Sequence, residues 1–371
     1  MDRSAFKALA FFIILGTVLR IFQITFQCVW TEEEFTIGMI QNGWAELVVR
    51  SFTADFNPPL YYLTAKAAST IFPVWWAIRI PSLVAGILLI PAMYLLGRNY
   101  KDEITGVWCA GAASVLFPLV YYSQYGRAYS LLFLFFVVFL SCWVMRIREP
   151  IVPCWVFPAM WGSAILCIWT HSFSAVPVGL LCAVLLVYRS DITDGLWMVV
   201  STACISPVIY SVMVGSFLRT NTNYPYGDNI LELLLTTPGE FFGVLFVVMA
   251  MFITMALFTE IDPEHRDIKN VLFGVAIITI AIGFASSTHT PFFPRYYMTA
   301  GLILLLLACA AMATISGYIR ILSTQFSKNG VSPITMAILA AIVFLALQSG
   351  DFWNYYTVQK YLCAPILASI A

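Results

Sequence analysis

The chain has 371 residues, of which 10% are charged and 61% hydrophobic, and its formal net charge is zero. Soluble domains carry about 25% charged residues, so a soluble globular fold is excluded, and with no excess of Lys and Arg and no basic tail, nucleic acid is excluded as a partner. Apolar stretches of roughly 17–22 residues recur along the chain, long enough for membrane-spanning helices and too long for barrel strands. Backbone groups in lipid must be satisfied within the segment, so the fold class is an all-α polytopic membrane protein.

The first apolar segment follows Met1-Asp2-Arg3-Ser4-Ala5-Phe6-Lys7 and runs to Phe26. It is too long for the apolar region of a signal peptide and no small-residue cleavage site follows, so it reads as an uncleaved first helix. Further spans are predicted over 78–97, 104–121, 128–145, 153–170, 173–188, 196–214, 239–258, 270–287, 297–317 and 332–349, about 11 transmembrane helices with the first at 5–26. Placing the N-terminus in the cytoplasm assigns eleven Lys and Arg to the inner face and seven to the outer face. That excess fits the rule that cytoplasmic loops carry the positive charge. Arg20 stays within the first helix.

Two outer loops are long. The first, 27–77, is predicted to be partly helical: one helix from Glu32 to Trp44 and, after the break at Pro58-Pro59, a second from Leu60 to Phe72. Both are too short and polar to span, so they are expected to lie in the membrane interface. The second, 215–238, is polar, turn-rich and aromatic, suited to covering a site. The whole of 1–371 is read as a single transmembrane domain with no large C-terminal soluble domain. Nine cysteines are scattered, mostly inside apolar spans and without metal-ligand spacing, so no disulfide framework or structural metal is expected.

Polar residues are scarce, and five clusters of them emerge on the outer face. Glu32-Glu33-Glu34 opens the first loop. Asp55-Phe56-Asn57-Pro58-Pro59-Leu60-Tyr61-Tyr62 follows in the same loop. Gln124-Tyr125-Gly126-Arg127-Ala128-Tyr129 links two spans, Thr170-His171 lies between two more, and Arg295-Tyr296-Tyr297 precedes another. Each has an ordinary reading as well: an acidic helix start favoured by the dipole, an Asn57 N-cap, snorkelling arginines among interfacial tyrosines, a hydrogen-bonded structural histidine. Together they offer carboxylates and cations at one membrane surface. Transfer of a sugar from a lipid phosphate needs that pairing, a carboxylate to accept the acceptor's proton and cations to stabilise the departing phosphate.

In order and wording, these motifs resemble those of the GT-C superfamily of polyprenyl-phosphate-sugar-dependent glycosyltransferases, in the style of the protein O-mannosyltransferase and lipid A aminoarabinose transferase-like families. Trp30-Thr31-Glu32-Glu33-Glu34-Phe35-Thr36 stands for W-x-D-E-x-x-S/T, and Asp55 to Tyr62 for D-x-H-P-P-L-Y-Y. Arg79-Ile80-Pro81-Ser82 matches R-x-P-S, Tyr122 to Tyr129 matches Y-S-Q-E-A-R-x-Y, and Thr170-His171 and Arg295-Tyr296 match the T-H and R-Y elements. The resemblance runs from residue 28 to residue 297. It departs at Glu32, where Asp is usual, at Asn57, where His is usual, and at Tyr125, where Glu is usual.

The resemblance implies an integral, multi-pass membrane glycosyltransferase of the plasma or cytoplasmic membrane and cell envelope, with its site on the extracytoplasmic face. The donor would be a polyprenyl-phosphate sugar, undecaprenyl or dolichyl (dolichyl phosphate mannose among them), and the acceptor a hydroxyl on a glycan, protein or lipid. Reaction would invert the sugar C1, with Glu32 first and Glu33 second as candidate base. Asp55 would position acceptor or sugar, and Arg127, His171 and Arg295 would surround the donor phosphate. Asn57, Tyr61, Tyr62, Tyr129 and Tyr296 would contact sugar or prenyl chain. No cofactor is required, and a divalent metal could sit beside Glu32, Asp55 and His171. A lipid-linked sugar flippase or carrier and an inactive relative are the competing readings. The carrier is disfavoured because its polar groups should lie at mid-membrane depth.

Overall fold

The computed structural model describes residues 2–55, 58–149, 151–189, 192–219, 251, 254, 263–287, 298–326 and 330–357, and every element among them is helical. The chain begins with α1 (Arg3–Ile21), followed by the long first loop, which folds into α2 (Thr31–Gln41), α3 (Trp44–Arg50), a π-helical turn Ser51–Asp55, α4 (Leu60–Ser69) and α5 (Val74–Ala77). Helices α6 (Ile80–Tyr100), α7 (Glu103–Val115), the short α8 (Phe117–Ser123), α9 (Tyr129–Arg148), α10 (Val156–Thr170), a short turn Ser172–Ser174, α11 (Ala175–Arg189) and α12 (Ile192–Arg219) come next. Then come α13 (Pro263–Ser287), α14 (Met298–Phe326), α15 (Pro333–Leu347) and α16 (Ser349–Thr357).

Ten of the eleven predicted spans fall on these helices. The eleventh, 239–258, lies outside the described residues apart from positions 251 and 254, and so does the second outer loop beyond Arg219. By length and composition, four described helices can cross a membrane, or six if each of two bent pairs is one span. Two shorter apolar helices, Val156–Thr170 and Ser172–Tyr188, accompany them. The core is a continuous apolar cluster in which α6 packs on α7 and α9. Close approach there depends on glycine: a Cβ on Gly97 would stand 2.8 Å from the Thr105 carbonyl oxygen, and one on Gly106 2.6 Å from that of Tyr94. Small residues at helix contacts are the usual basis of packing in lipid, where burial of apolar surface gives little drive.

Several boundaries differ from expectation, each for a local reason. The helix predicted from Glu32 to Trp44 is two helices. Asn42 is extended, and its side chain donates to the carbonyls of Gly38 (2.8 Å) and Met39 (3.1 Å). Lys66 Nζ donates to those of Ile40 (2.8 Å) and Asn42 (2.6 Å), satisfying the α2 end. The first helix stops at Ile21, and Gln23 turns the chain with φ 50°. The expected absence of a disulfide is corrected at Cys28, which is disulfide-bonded, while the seven other described cysteines are free. Cys28 lies beyond the end of α1 rather than inside an apolar helix.

The span predicted over 104–121 is broken between α7 and α8 with a bend of 60°. Pro118 causes it, because it has no N–H and its ring collides with the preceding turn. Three carbonyls of α7 would otherwise be orphaned at that break. Arg20, wholly buried on α1, takes two of them: Nη2 donates to the Ala113 carbonyl at 2.7 Å and Nη1 to that of Ser114 at 3.1 Å. Gln348, between α15 and α16, takes the third through Nε2 to Val115 O at 3.2 Å, and its Oε1 accepts the displaced Phe117 N–H at 2.7 Å. Arg20 Nε also donates to Ser123 Oγ at 3.1 Å, at the far end of α8. The repaired bend aims Gln124 to Arg127 at the long first loop.

Candidate active site

The site grows from contacts between α2 and the Gln124–Arg127 segment. Gln124 Nε2 donates to the last carbonyls of α1, to Arg20 O at 2.9 Å and Phe22 O at 2.9 Å, which fixes the segment over that helix end. Glu33 lies in the first turn of α2 and is fully buried. Arg79 reaches it with a two-pronged grip, Nε to Oε1 at 2.8 Å and Nη2 to Oε2 at 2.7 Å. Gly126 N donates to Oε1 at 2.7 Å and Trp30 N to Oε2 at 3.2 Å. Four donors occupy the acceptor positions of one carboxylate. A Cβ at position 126 would stand 2.9 Å from Glu33 Oε1 and 3.2 Å from the Ile78 carbonyl, so glycine permits the approach. Arg79 also donates through Nη1 to Ile24 O at 2.6 Å, joining the start of the long first loop to the head of α6.

Glu32, one residue earlier, is only half-buried. Its Oε2 accepts from Tyr125 Oη at 2.7 Å. Arg127 Nη1 approaches the Glu32 carbonyl at 3.4 Å and donates to Tyr62 Oη at 3.1 Å. Its guanidinium lies 6.0 Å from the Tyr62 ring centre. A crevice of about 20 Å³ opens beside it, lined by Tyr62, Arg127, Tyr129 and His171 among others. That volume admits one water or a single ligand oxygen rather than a sugar. Glu32 does not line the crevice itself but is joined to it through Arg127.

The remaining sequence candidates divide. Tyr61 touches the crevice wall with its ring, but its hydroxyl donates to Ile78 O at 2.6 Å and pairs with Ser82 Oγ at 2.8 Å. Burial pushes that phenol above its ordinary value, so it stays a donor. His171 is extended at the break between α10 and the next short turn, with its ring 6.1 Å from Tyr129. Asp55 ends the π-helical turn; its side chain, and Asn57, Arg295 and Tyr296 altogether, lie outside the described residues. Among the described residues no three His, Cys, Asp or Glu side chains converge on a metal position. Arg79 and Tyr125 were not among the expected site residues. The signal for Arg79 was a cation heading an apolar span, where a charge needs a partner.

An apolar groove of about 410 Å³ opens between the end of α1 and α16, lined by Leu19, Phe22, Leu345, Phe352, Trp353 and Tyr356 with neighbours. Ring contacts join it to the crevice: Tyr356 with Tyr355 at 5.2 Å, Tyr355 with Tyr121 at 5.4 Å, Tyr121 with Tyr125 at 5.7 Å and Tyr125 with Tyr129 at 6.4 Å.

No protein-family model matches the chain, and no curated protein matches it in sequence. Solved structures do. ArnT from Cupriavidus metallidurans is similar in its apo state at TM-score 0.57 and 14% identity, over 94% of this chain and 71% of that one. The same protein bound to undecaprenyl phosphate is similar at TM-score 0.57 and 13% identity, over 94% and 72%. The archaeal oligosaccharyltransferase AglB from Archaeoglobus fulgidus, in complex with an inhibitory peptide and a dolichol-phosphate, is similar at TM-score 0.58 and 11% identity. That match covers 94% of this chain, which spans 56% of AglB. At such identities the likeness is one of architecture: this chain shares the fold of ArnT and AglB, in agreement with the architecture that the six motifs led to expect.

Proposed function

We propose that the chain is an integral membrane glycosyltransferase that moves a sugar from a polyprenyl phosphate to an acceptor hydroxyl on the extracytoplasmic face. The observation that carries this reading is the division of labour between neighbours: Glu33 is wholly engaged by Arg79, Gly126 and Trp30, while Glu32 is half-buried next to Arg127. Glu32 takes the proton of the acceptor hydroxyl as its oxygen attacks the sugar C1. The C1–O bond to phosphate breaks on the opposite side, its electron pair stays on the phosphate oxygen, and C1 is inverted. Arg127, with His171 and Arg295, neutralises the charge growing on the leaving lipid phosphate. The motif resemblance assigns Asp55, Asn57 and Tyr296 to sugar and acceptor, and Tyr62 and Tyr129 line the crevice.

The GT-C fold supports the lipid-phosphate donor, since ArnT has been solved with undecaprenyl phosphate and AglB with a dolichol-phosphate. The apolar groove beside Tyr356 is a seat for the prenyl tail. The test is incubation of membranes holding the protein with a panel of labelled polyprenyl-phosphate sugars, following polyprenyl phosphate release and label transfer. Turnover of one donor that is lost in Glu32→Gln supports the reading. Passage of labelled lipid across the bilayer without hydrolysis or transfer, unchanged in Glu32→Gln, replaces it with a carrier.

A further inference from the structure

We infer that Tyr125 is a positioning residue for Glu32, holding its carboxylate in the orientation that receives the acceptor's proton. The inference rests on the reading of Glu32 as base. Tyr125 donates to Glu32 Oε2 at 2.7 Å across the contact between α2 and the loop after α8. Its ring is 5% exposed and fixed on three sides. Tyr121 stacks on it at 5.7 Å with an interplanar angle of 27°, and Tyr129 at 6.4 Å with 3°. Trp30 meets it edge-on at 6.2 Å.

The backbone beside the ring is fixed as well. Glu33 binds the Gly126 N–H at 2.7 Å, and Thr36 Oγ1 donates to Gly126 O at 3.1 Å. Tyr125 and Glu32 therefore face each other from two pieces of one rigid frame, and the phenol sets the plane of the carboxylate. A neutral donor suits this place. A carboxylate at position 125 would oppose Glu32 with like charge, whereas the phenol donates a hydrogen bond without adding charge.

The test uses the full chain purified in lipid nanodiscs with the donor that the panel identifies. In Tyr125→Phe the ring stack is kept and one hydroxyl is lost. The expected result is a roughly tenfold fall in kcat with KM for the donor unchanged, the size of one hydrogen bond to a charged group. In a Glu32→Gln background, followed over single turnovers, adding Tyr125→Phe should cost nothing further, because the two residues act as a unit. Wild-type kcat in Tyr125→Phe, or equal losses in both backgrounds, overturns the positioning role and leaves the transferase reading standing. If Tyr125→Phe does not accumulate, 3-fluorotyrosine at position 125 keeps the ring and alters the donor. A changed kcat at constant KM supports the role, and an unchanged kcat overturns it. Failure of the wild type to turn over any donor removes the transferase reading itself.

Discussion

Glu32 and Glu33 are neighbours in the chain and occupy opposite environments. On one side of α2 a carboxylate is fully buried, gripped twice by Arg79 and capped by two backbone N–H groups. On the other a half-buried carboxylate accepts from a phenol, and the Arg127 guanidinium at the crevice approaches the backbone carbonyl of the same residue. Consecutive helical residues point about 100° apart, so one turn of helix can present one acid to the scaffold and the next to a substrate. The difference teaches that adjacent acids need not share a job: Glu33 is wholly engaged in the scaffold, and Glu32 is the one that the proposed mechanism uses as base. Rigidity around the first is what lets the second hold position.

The largest effect expected is in Glu32→Gln, which keeps the shape and the Tyr125 contact but cannot accept a proton. Donor turnover should fall by about 10²–10⁴-fold, with the thermal unfolding midpoint of the membrane-extracted protein near that of the wild type. Equal activity in this variant would erase the contrast. Glu33→Gln should do the reverse. It leaves the Arg79 guanidinium buried beside a neutral amide, and breaking a buried pair in this way costs about 3–5 kcal/mol. Denaturant or thermal unfolding would read it as a loss of stability that accompanies any loss of turnover.

A smaller loss is expected in Arg20→Met, which strips the donors from the Ala113 and Ser114 carbonyls at the α7–α8 bend. Orphaned carbonyls cost about 1–3 kcal/mol each, partly offset by no longer burying a cation, so a net loss of about 2 kcal/mol should appear on unfolding. The smallest effect belongs to Tyr61→Phe, which removes the bond to Ile78 O from the wall of the crevice. It should cost about 1 kcal/mol of stability and leave turnover within twofold. A large fall in turnover would move Tyr61 from the scaffold side of the comparison to the chemical side.

Much of the helical framework was legible because side-chain hydropathy reports the solvent each helix faces. The break at His171 and the start of α4 after Pro58-Pro59 were legible from local chemistry. Pro118 was equally visible inside the span 104–121, yet what the chain does about it depends on Arg20 and Gln348, which no local pattern connects to it. The same limit applies to the acids. Three adjacent glutamates are equivalent as letters, and Glu33 becomes structural only because α6 delivers Arg79 and a glycine at 126 lets a backbone N–H reach it. Tyr125 was seen as a departure from the motif, but its bond to Glu32 required the two loops to be brought together.

The bend between α7 and α8 also sets an order of assembly. Its three stranded carbonyls are satisfied by the first helix and by the residue between α15 and α16, so partners arrive at the two extremes of the described chain. During insertion, α8 can be half-secured as soon as α7 meets α1. The Val115 carbonyl and Phe117 N–H must wait for Gln348. The segment that carries Tyr125 and Arg127 therefore depends for its final aim on residue 348, more than 220 positions later in the chain.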